Sequence, residues 1–239
     1  MSEEIVICSD IGELSKKGAS LFIETGKSYI KSNKKFNVLL SGGRTPEGLY
    51  KLLGNEEFKE SIDWKSVHFF WGDERCVGPD HEESNFRMCN ANLISKIEIP
   101  SGNIHRIPGE KGSDGAGIYE RDITGILGDK PVFDLVLLGM GEDGHIASLF
   151  PGSIALSTEK NLVSYIKNDN GKLPRITITP PIIIDANNIV VMVSGERKGA
   201  MIRKVIKGDY EPKLYPAQIV RNCKGKVIWL LDKEVAAFL

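Results

Sequence analysis

The chain has 239 residues, of which 41% are hydrophobic and 26% charged, with a formal net charge of −1. That length suits one large α/β domain over residues 1–239, and the composition is globular rather than that of a disordered tail or fibre. Near-neutral charge excludes a global field drawing in nucleic acid or an anionic membrane, so any anionic ligand must be met by a few local cations and backbone amides.

The N-terminal stretch MSEEIVICSD is acidic and soon turns polar, which does not read as a secretory signal. No apolar run approaches the ~20 residues of a membrane span. Residues 11–30 have helical spacing, with Ile11, Leu14, Ala19, Leu21, Phe22 and Tyr29 broadly on one side. A buried strand follows at 37–41 (NVLLS), then a helix over 45–53. The next strand is 67–71 (VHFFW), followed by a helix over 85–94, a loose surface stretch over 100–117 and a helix over 118–127. Strand 134–138 (DLVLL) precedes a second loose stretch at 167–173. Strand 189–193 (IVVMV), a helix over 196–206 and strand 227–231 (VIWLL) complete the order, with no internal repeat. Runs this apolar predict strands covered on both faces, and their alternation with helices predicts βαβ units in a doubly wound parallel sheet. Cys8, Cys76, Cys89 and Cys223 show no CxxC spacing and read as reduced thiols, which predicts a cytoplasmic protein.

Ligands of open α/β sheets sit beyond the carboxyl ends of the strands, so the loops there carry the chemistry. After the strand at 37–41 comes Ser41-Gly42-Gly43-Arg44-Thr45-Pro46. Its glycines let a ligand approach the backbone, with Thr45 placed to cap the next helix and Pro46 at its first position. It is either an anion cradle or a tight turn that binds nothing. Asp73-Glu74-Arg75 follows the aromatic strand, and Arg75 either forks onto an oxyanion or pairs internally. Gly139-Met140-Gly141-Glu142-Asp143-Gly144-His145 delivers a histidine suited to general-base work near neutral pH, where the loop begins a helix. Asp143 there orients the imidazole, contacts a substrate hydroxyl or caps that helix. His68, His81 and His105 read as structural or exposed. Arg175 opens RITITPPII and Lys198 lies in the turn after strand 189–193; either can be an ordinary solvated charge. Arg197, Lys198, Arg203, Lys204 and Lys207 make a basic helical face without interleaved aromatics, which speaks against a nucleic-acid site. GxSxG and HExxH are absent, and Cys76 has no nearby histidine to activate it, so neither a serine hydrolase, a catalytic metal nor a thiolate nucleophile is supported.

The segments SGGRTPEGLY, FFWGDERCVGPDHEESNFRM, FDLVLLGMGEDGHIASLFPGS, RITITPPII and VSGERKGAMIRKV resemble, in order and spacing, those of the 6-phosphogluconolactonase family, as does PAQIV near Ala217. The resemblance implies a three-layer, Rossmann-like α/β fold, a mostly parallel sheet with helices on both faces, shared with glucosamine-6-phosphate isomerases (deaminases). It implies hydrolysis of 6-phospho-D-glucono-1,5-lactone to 6-phosphogluconate, with a small sugar phosphate as partner, no cofactor, and a monomer or small homo-oligomer. By motif, His145 is the base, Arg75 lies near the substrate, and Gly42, Gly43, Arg44, Thr45, Arg175 and Lys198 hold phosphate. Asp73 and Asp143 occupy acidic positions that the deaminases use. Arg44 stands where the family often has a small serine, which leaves open whether its side chain or only its backbone meets phosphate. The alternatives are a glucosamine-6-phosphate deaminase and a non-catalytic sugar-phosphate sensor. Against the first, residues 146–151 offer no carboxylate and Arg75 replaces an aromatic; against the second, no residues remain for a partner domain.

Overall fold

The computed structural model describes residues 2–167 and 173–239. The expected loose stretch at 167–173 therefore falls largely outside the described residues. The chain runs β1 (Ser2–Cys8), α1 (Ile11–Asn33), β2 (Phe36–Leu40), α2 (Arg44–Leu53), α3 (Glu56–Lys59), β3 (Val67–Trp71) and β4 (Asp73–Arg75). It continues with α4 (Asn85–Asn92), β5 (Ile104–His105), α5 (Asp114–Leu127), β6 (Leu135–Gly139), β7 (Val163–Ile166) and β8 (Arg175–Ile178). The last elements are α6 (Pro180–Ile184), β9 (Asn188–Val193), α7 (Gly199–Lys207), β10 (Lys226–Asp232) and α8 (Lys233–Ala236).

Seven strands form one sheet in the order β1-β10-β9-β6-β2-β3-β5, and every pairing in it is parallel. Parallel neighbours need crossover connections, so helices must pass over the sheet and cover it. Helices α1 and α2 pack together on one face, where Met192 of β9 and Leu230 of β10 point toward α1. Val191 and Trp229, which alternate to the other face, are equally buried, so both faces are covered. Phe22 of α1 meets Phe36 edge-on at 5.3 Å and Trp64 at 5.9 Å, anchoring this long helix over β2 and β3. Asp10 caps α1 by accepting from the Glu13 amide, and Lys34 ends it in a left-handed conformation.

The expected strands at 37–41, 67–71, 134–138, 189–193 and 227–231 all fall in the sheet. Other elements depart from expectation. β1 is an edge strand and mostly exposed, so it lacks the continuous apolar signal of the buried strands. The stretch 100–117, expected as surface connection, contains β5 and the first turn of α5. A second, antiparallel sheet of order β4-β8-β7 stands at the mouth of the first. It starts where Gly72 accepts from the Ile178 amide, so the chain leaves the main sheet at β3 and enters the small one at once. No helix among the described residues is long and apolar enough to cross a membrane.

At the β3–β5 edge, His68 Nδ1 lies 3.2 Å from His105 Nε2, and His105 stacks on Phe70 at 4.4 Å. His81 accepts from the Glu83 amide in a surface loop. Burial, with the charges of His105 and Lys35, pushes the His68 imidazole down to about 4. An unfolded histidine titrates near ~6.5, so between that pH and about 4 the unfolded chain takes a proton that the folded chain refuses. Stability from this group is therefore present above pH ~6.5 and lost as pH falls toward about 4. His68→Gln should flatten the thermal midpoint across that window relative to wild type; parallel profiles would show that this edge carries no such linkage.

Candidate active site

Loops from four strands and the small sheet converge at the carboxyl edge of the main sheet. Tyr50 of α2 donates its hydroxyl to the Ser41 carbonyl and accepts from the Ser41 amide, fixing the end of β2. Tyr119 of α5 does the same at Trp71, fixing the end of β3. Both tyrosines are fully buried, and each replaces the backbone partner that a strand end lacks. Ser41 Oγ also accepts from the Gly139 amide, tying the first loop to the end of β6.

The first loop corrects one expectation. Thr45 does not cap α2: the cap is Gly43, at φ 98, with Arg44, Thr45 and Pro46 as the first three helical residues. Only glycine takes that backbone conformation without strain. No side chain among the described residues caps this end. The first amides of α2 thus face the adjoining cavity unpaired by any cap, which suits an anion.

β4 places the second set. Glu74 is 2% exposed and its carboxylate accepts from the Arg75, Asn85 and Phe86 amides and from Ser84 Oγ. Burial pushes this carboxyl up while those bonds oppose it; its work is to pin the start of α4 to β4. Asp73 points the other way. Its Oδ2 accepts from Ser148 Oγ at 2.5 Å, its Oδ1 from Asn85 Nδ2 at 3.2 Å, and Arg175 Nη1 lies 3.7 Å away. Each oxygen accepts a hydrogen bond, which holds Asp73 in place beside Arg175.

The register puts Arg75 directly opposite Arg175. Like charges facing across two strands destabilise the pairing unless something negative sits between or beside them. Arg75 Nη1 donates to the Glu83 carbonyl, and the Nε atoms of both arginines are buried without a partner among the described residues. Burial, opposed by Asp73 and reinforced by Arg75, lowers the Arg175 pKa from the usual arginine value. Lys198 ends a one-turn 3₁₀ segment, Glu196–Lys198, after β9. Asp232 holds that turn by accepting from Ser194 Oγ at 2.5 Å and from the Gly195 amide at 2.9 Å. The Lys198 ammonium makes no hydrogen bond or ion pair with the described residues, and burial, then the charge of Arg44, pushes its pKa down. Arg44 is exposed and equally unpaired among the described residues.

The loop after β6 carries the histidine. No helix begins there: residues 141–150 form turns closed by an Ile146–Leu149 bridge, with Ala147 at φ 48. Asp143 therefore does not cap a helix. Its Oδ1 lies 2.5 Å from His145 Nδ1 and also accepts from the His145 amide at 3.2 Å. Burial works against the Asp143 charge, but the bonds and charge of His145 outweigh it, and the carboxyl stays below its ordinary value. An ionised carboxylate only accepts, so Nδ1 carries a proton, and Nε2 is the ring nitrogen left to exchange one at the cavity. Gly141 is required for this pair: a Cβ there would come within 2.1 Å of His145 Nδ1 and 2.7 Å of Asp143 Oδ1. The Ala217 amide of the PAQIV segment donates to the Gly144 carbonyl and buttresses the loop from behind.

A cavity of about 150 Å³ results. Gly42, Gly43, Arg44, Thr45, Asp73, Arg75, His145, Arg175 and Lys198 line it, and Asp143 stands behind His145. Sequence reasoning missed Asn85 and Ser148, whose roles depend on partners reached only through folding; it picked out Gly141 in the glycine-rich loop but not its clearance for the Asp143–His145 pair. Four cations, one committed carboxylate, a helix N-terminus and a histidine with a free nitrogen can hold a phosphorylated ligand against a general base.

Known proteins resemble this chain over most of its length. Residues 9–229 match the model of the family described as glucosamine-6-phosphate isomerases/6-phosphogluconolactonase. A 6-phosphogluconolactonase of Synechocystis sp. is 37% identical over 203 residues, covering 82% of each chain. One from Nostoc sp. is 33% identical over 245 residues, covering 100% of this chain and 99% of the relative. The solved structure of a 6-phosphogluconolactonase from Trypanosoma cruzi superimposes with a TM-score of 0.88 at 33% identity, covering 100% of this chain and 98% of that one. The chain belongs to the glucosamine-6-phosphate isomerase/6-phosphogluconolactonase family.

Proposed function

We propose that this chain hydrolyses 6-phospho-D-glucono-1,5-lactone to 6-phosphogluconate, as the names of its relatives suggest, by base-assisted attack of water. The observation that carries the reading is the Asp143–His145 pair, which leaves Nε2 free at a cavity lined by Arg44, Arg75, Arg175 and Lys198. Nε2 takes a proton as water adds to C1 of the lactone. Arg75 stabilises the tetrahedral oxyanion. The C1–ring oxygen bond then breaks, Nε2 returns its proton to the leaving oxygen, and the new carboxylic acid ionises. The phosphate rests on the α2 amides at Gly43–Thr45, on Arg175 and on Lys198, which holds the ring for attack. Arg44 adds charge beside Lys198.

This reading assigns the step no cofactor. We place it in the cytoplasm, where four free cysteines stay reduced. We treat residues 1–239 as one domain, since strands from Ser2 to Asp232 share one sheet, and as a monomer or small homo-oligomer. The deaminase alternative needs proton shuttling by free carboxylates, whereas Asp73 here has both oxygens bound and residues 146–151 supply none. The test follows lactone generated in place, above its spontaneous decay, beside ammonia release from glucosamine 6-phosphate. Accelerated lactone loss unaffected by EDTA, without ammonia, is the expected result; ammonia release alone would overturn it.

A further inference from the structure

Phe150 closes the segment that follows the histidine. Its ring centroid lies 4.6 Å from that of His145, with the planes 44° apart. The guanidinium carbon of Arg175 lies over the same ring, 5.8 Å from its centre. The ring is only partly buried and belongs neither to the apolar core nor to the partly buried apolar side chains packed on that core. Packing on the core of the described residues therefore does not account for a large aromatic here. Its ring contacts are with two groups of the site that carry positive charge, one always and one during reaction.

We propose that Phe150 is a shared aromatic wall that positions His145 and Arg175 and stabilises the positive charge His145 acquires when it takes the proton from water. The inference rests on the base role given to His145 above. An aromatic face is electron-rich and attracts cations. Arg175 is cationic before and after substrate binds, so the ring acts on ground-state affinity only by holding the guanidinium where the substrate phosphate meets it. His145 becomes cationic only as water attacks, so its contact acts on the transition state and therefore on kcat. One rigid ring in contact with both also restrains where each can sit, which an aliphatic side chain with more rotamers would not.

A cation–ring contact of ordinary strength corresponds to a fall of about 2- to 30-fold when the ring is lost. Phe150→Leu should lower kcat for the phosphorylated lactone by that factor and raise KM, with the thermal midpoint unchanged, while Phe150→Tyr restores both. The deciding measurement replaces Phe150 by mono-, di- and trifluorinated phenylalanine, which drains the ring face at nearly constant volume. A stepwise fall in kcat along the series is the expected result. A flat series, with His145→Ala inactive, would overturn the role of Phe150 and leave the base assignment standing. A fully active His145→Ala would remove the base assignment and this inference together.

Discussion

His145→Ala should lower kcat for the phosphorylated lactone by about 10²–10⁴-fold and leave KM within about threefold, the span expected for loss of a positioned general base. The direction follows from the geometry. Nδ1 is held by Asp143 at 2.5 Å, which leaves Nε2 as the nitrogen able to take a proton at the cavity. The groups assigned to phosphate come from α2, β8 and the turn after β9, none of which depends on the imidazole for its position. Binding therefore survives while the proton transfer does not. Residual activity should remain, because a lactone is an activated ester and the cations still stabilise the oxyanion. Initial rates measured against the spontaneous decay give kcat and KM separately. Unchanged kcat would move the base to another group, and a rise in KM alone would make His145 a binding residue.

The parts of this protein legible in its sequence are those whose signal is local. The five central strands are buried on both faces, so nearly all their residues are apolar. β1 escaped because, as an edge strand with Ile5 and Ile7 exposed, it looks like a polar terminus. β5 has two residues, and β4 is held by pairing with β8, a segment far away in the chain, which no window of sequence shows. The site divides the same way. GGRT, DER and GEDGH stand out as abrupt glycines and charges after apolar strands. Ser148 became meaningful only when it reached Asp73 from 75 residues away, and Phe150 only when its ring was found against both His145 and Arg175. The mistaken cap at Thr45 has a similar source: threonine before proline is a sound local signal, but the positive φ of Gly43 starts the helix earlier.

The arginine pair yields the second large expectation. Arg175→Ala should reduce kcat/KM for the phosphorylated lactone by about 30- to 5,000-fold, the range for removing one partner of a desolvated charge pair. Hydrolysis of the unphosphorylated 1,5-lactone should change by no more than about threefold, since an uncharged substrate offers that guanidinium nothing to bind. The contrast between substrates is needed because the substitution has opposing effects on the protein itself. It relieves the repulsion between residues placed opposite each other in β4 and β8, and it also takes from the buried Asp73 the cation 3.7 Å away. Ser148 and Asn85 continue to hold Asp73, so a folded variant is expected with a lower thermal midpoint. Those internal effects act on both substrates alike and cancel in the ratio of their kcat/KM values. What survives in the ratio is the interaction with phosphate. If both substrates lose activity equally, Arg175 works at the carbonyl, and the phosphate must be carried by Lys198 and the amides at the start of α2.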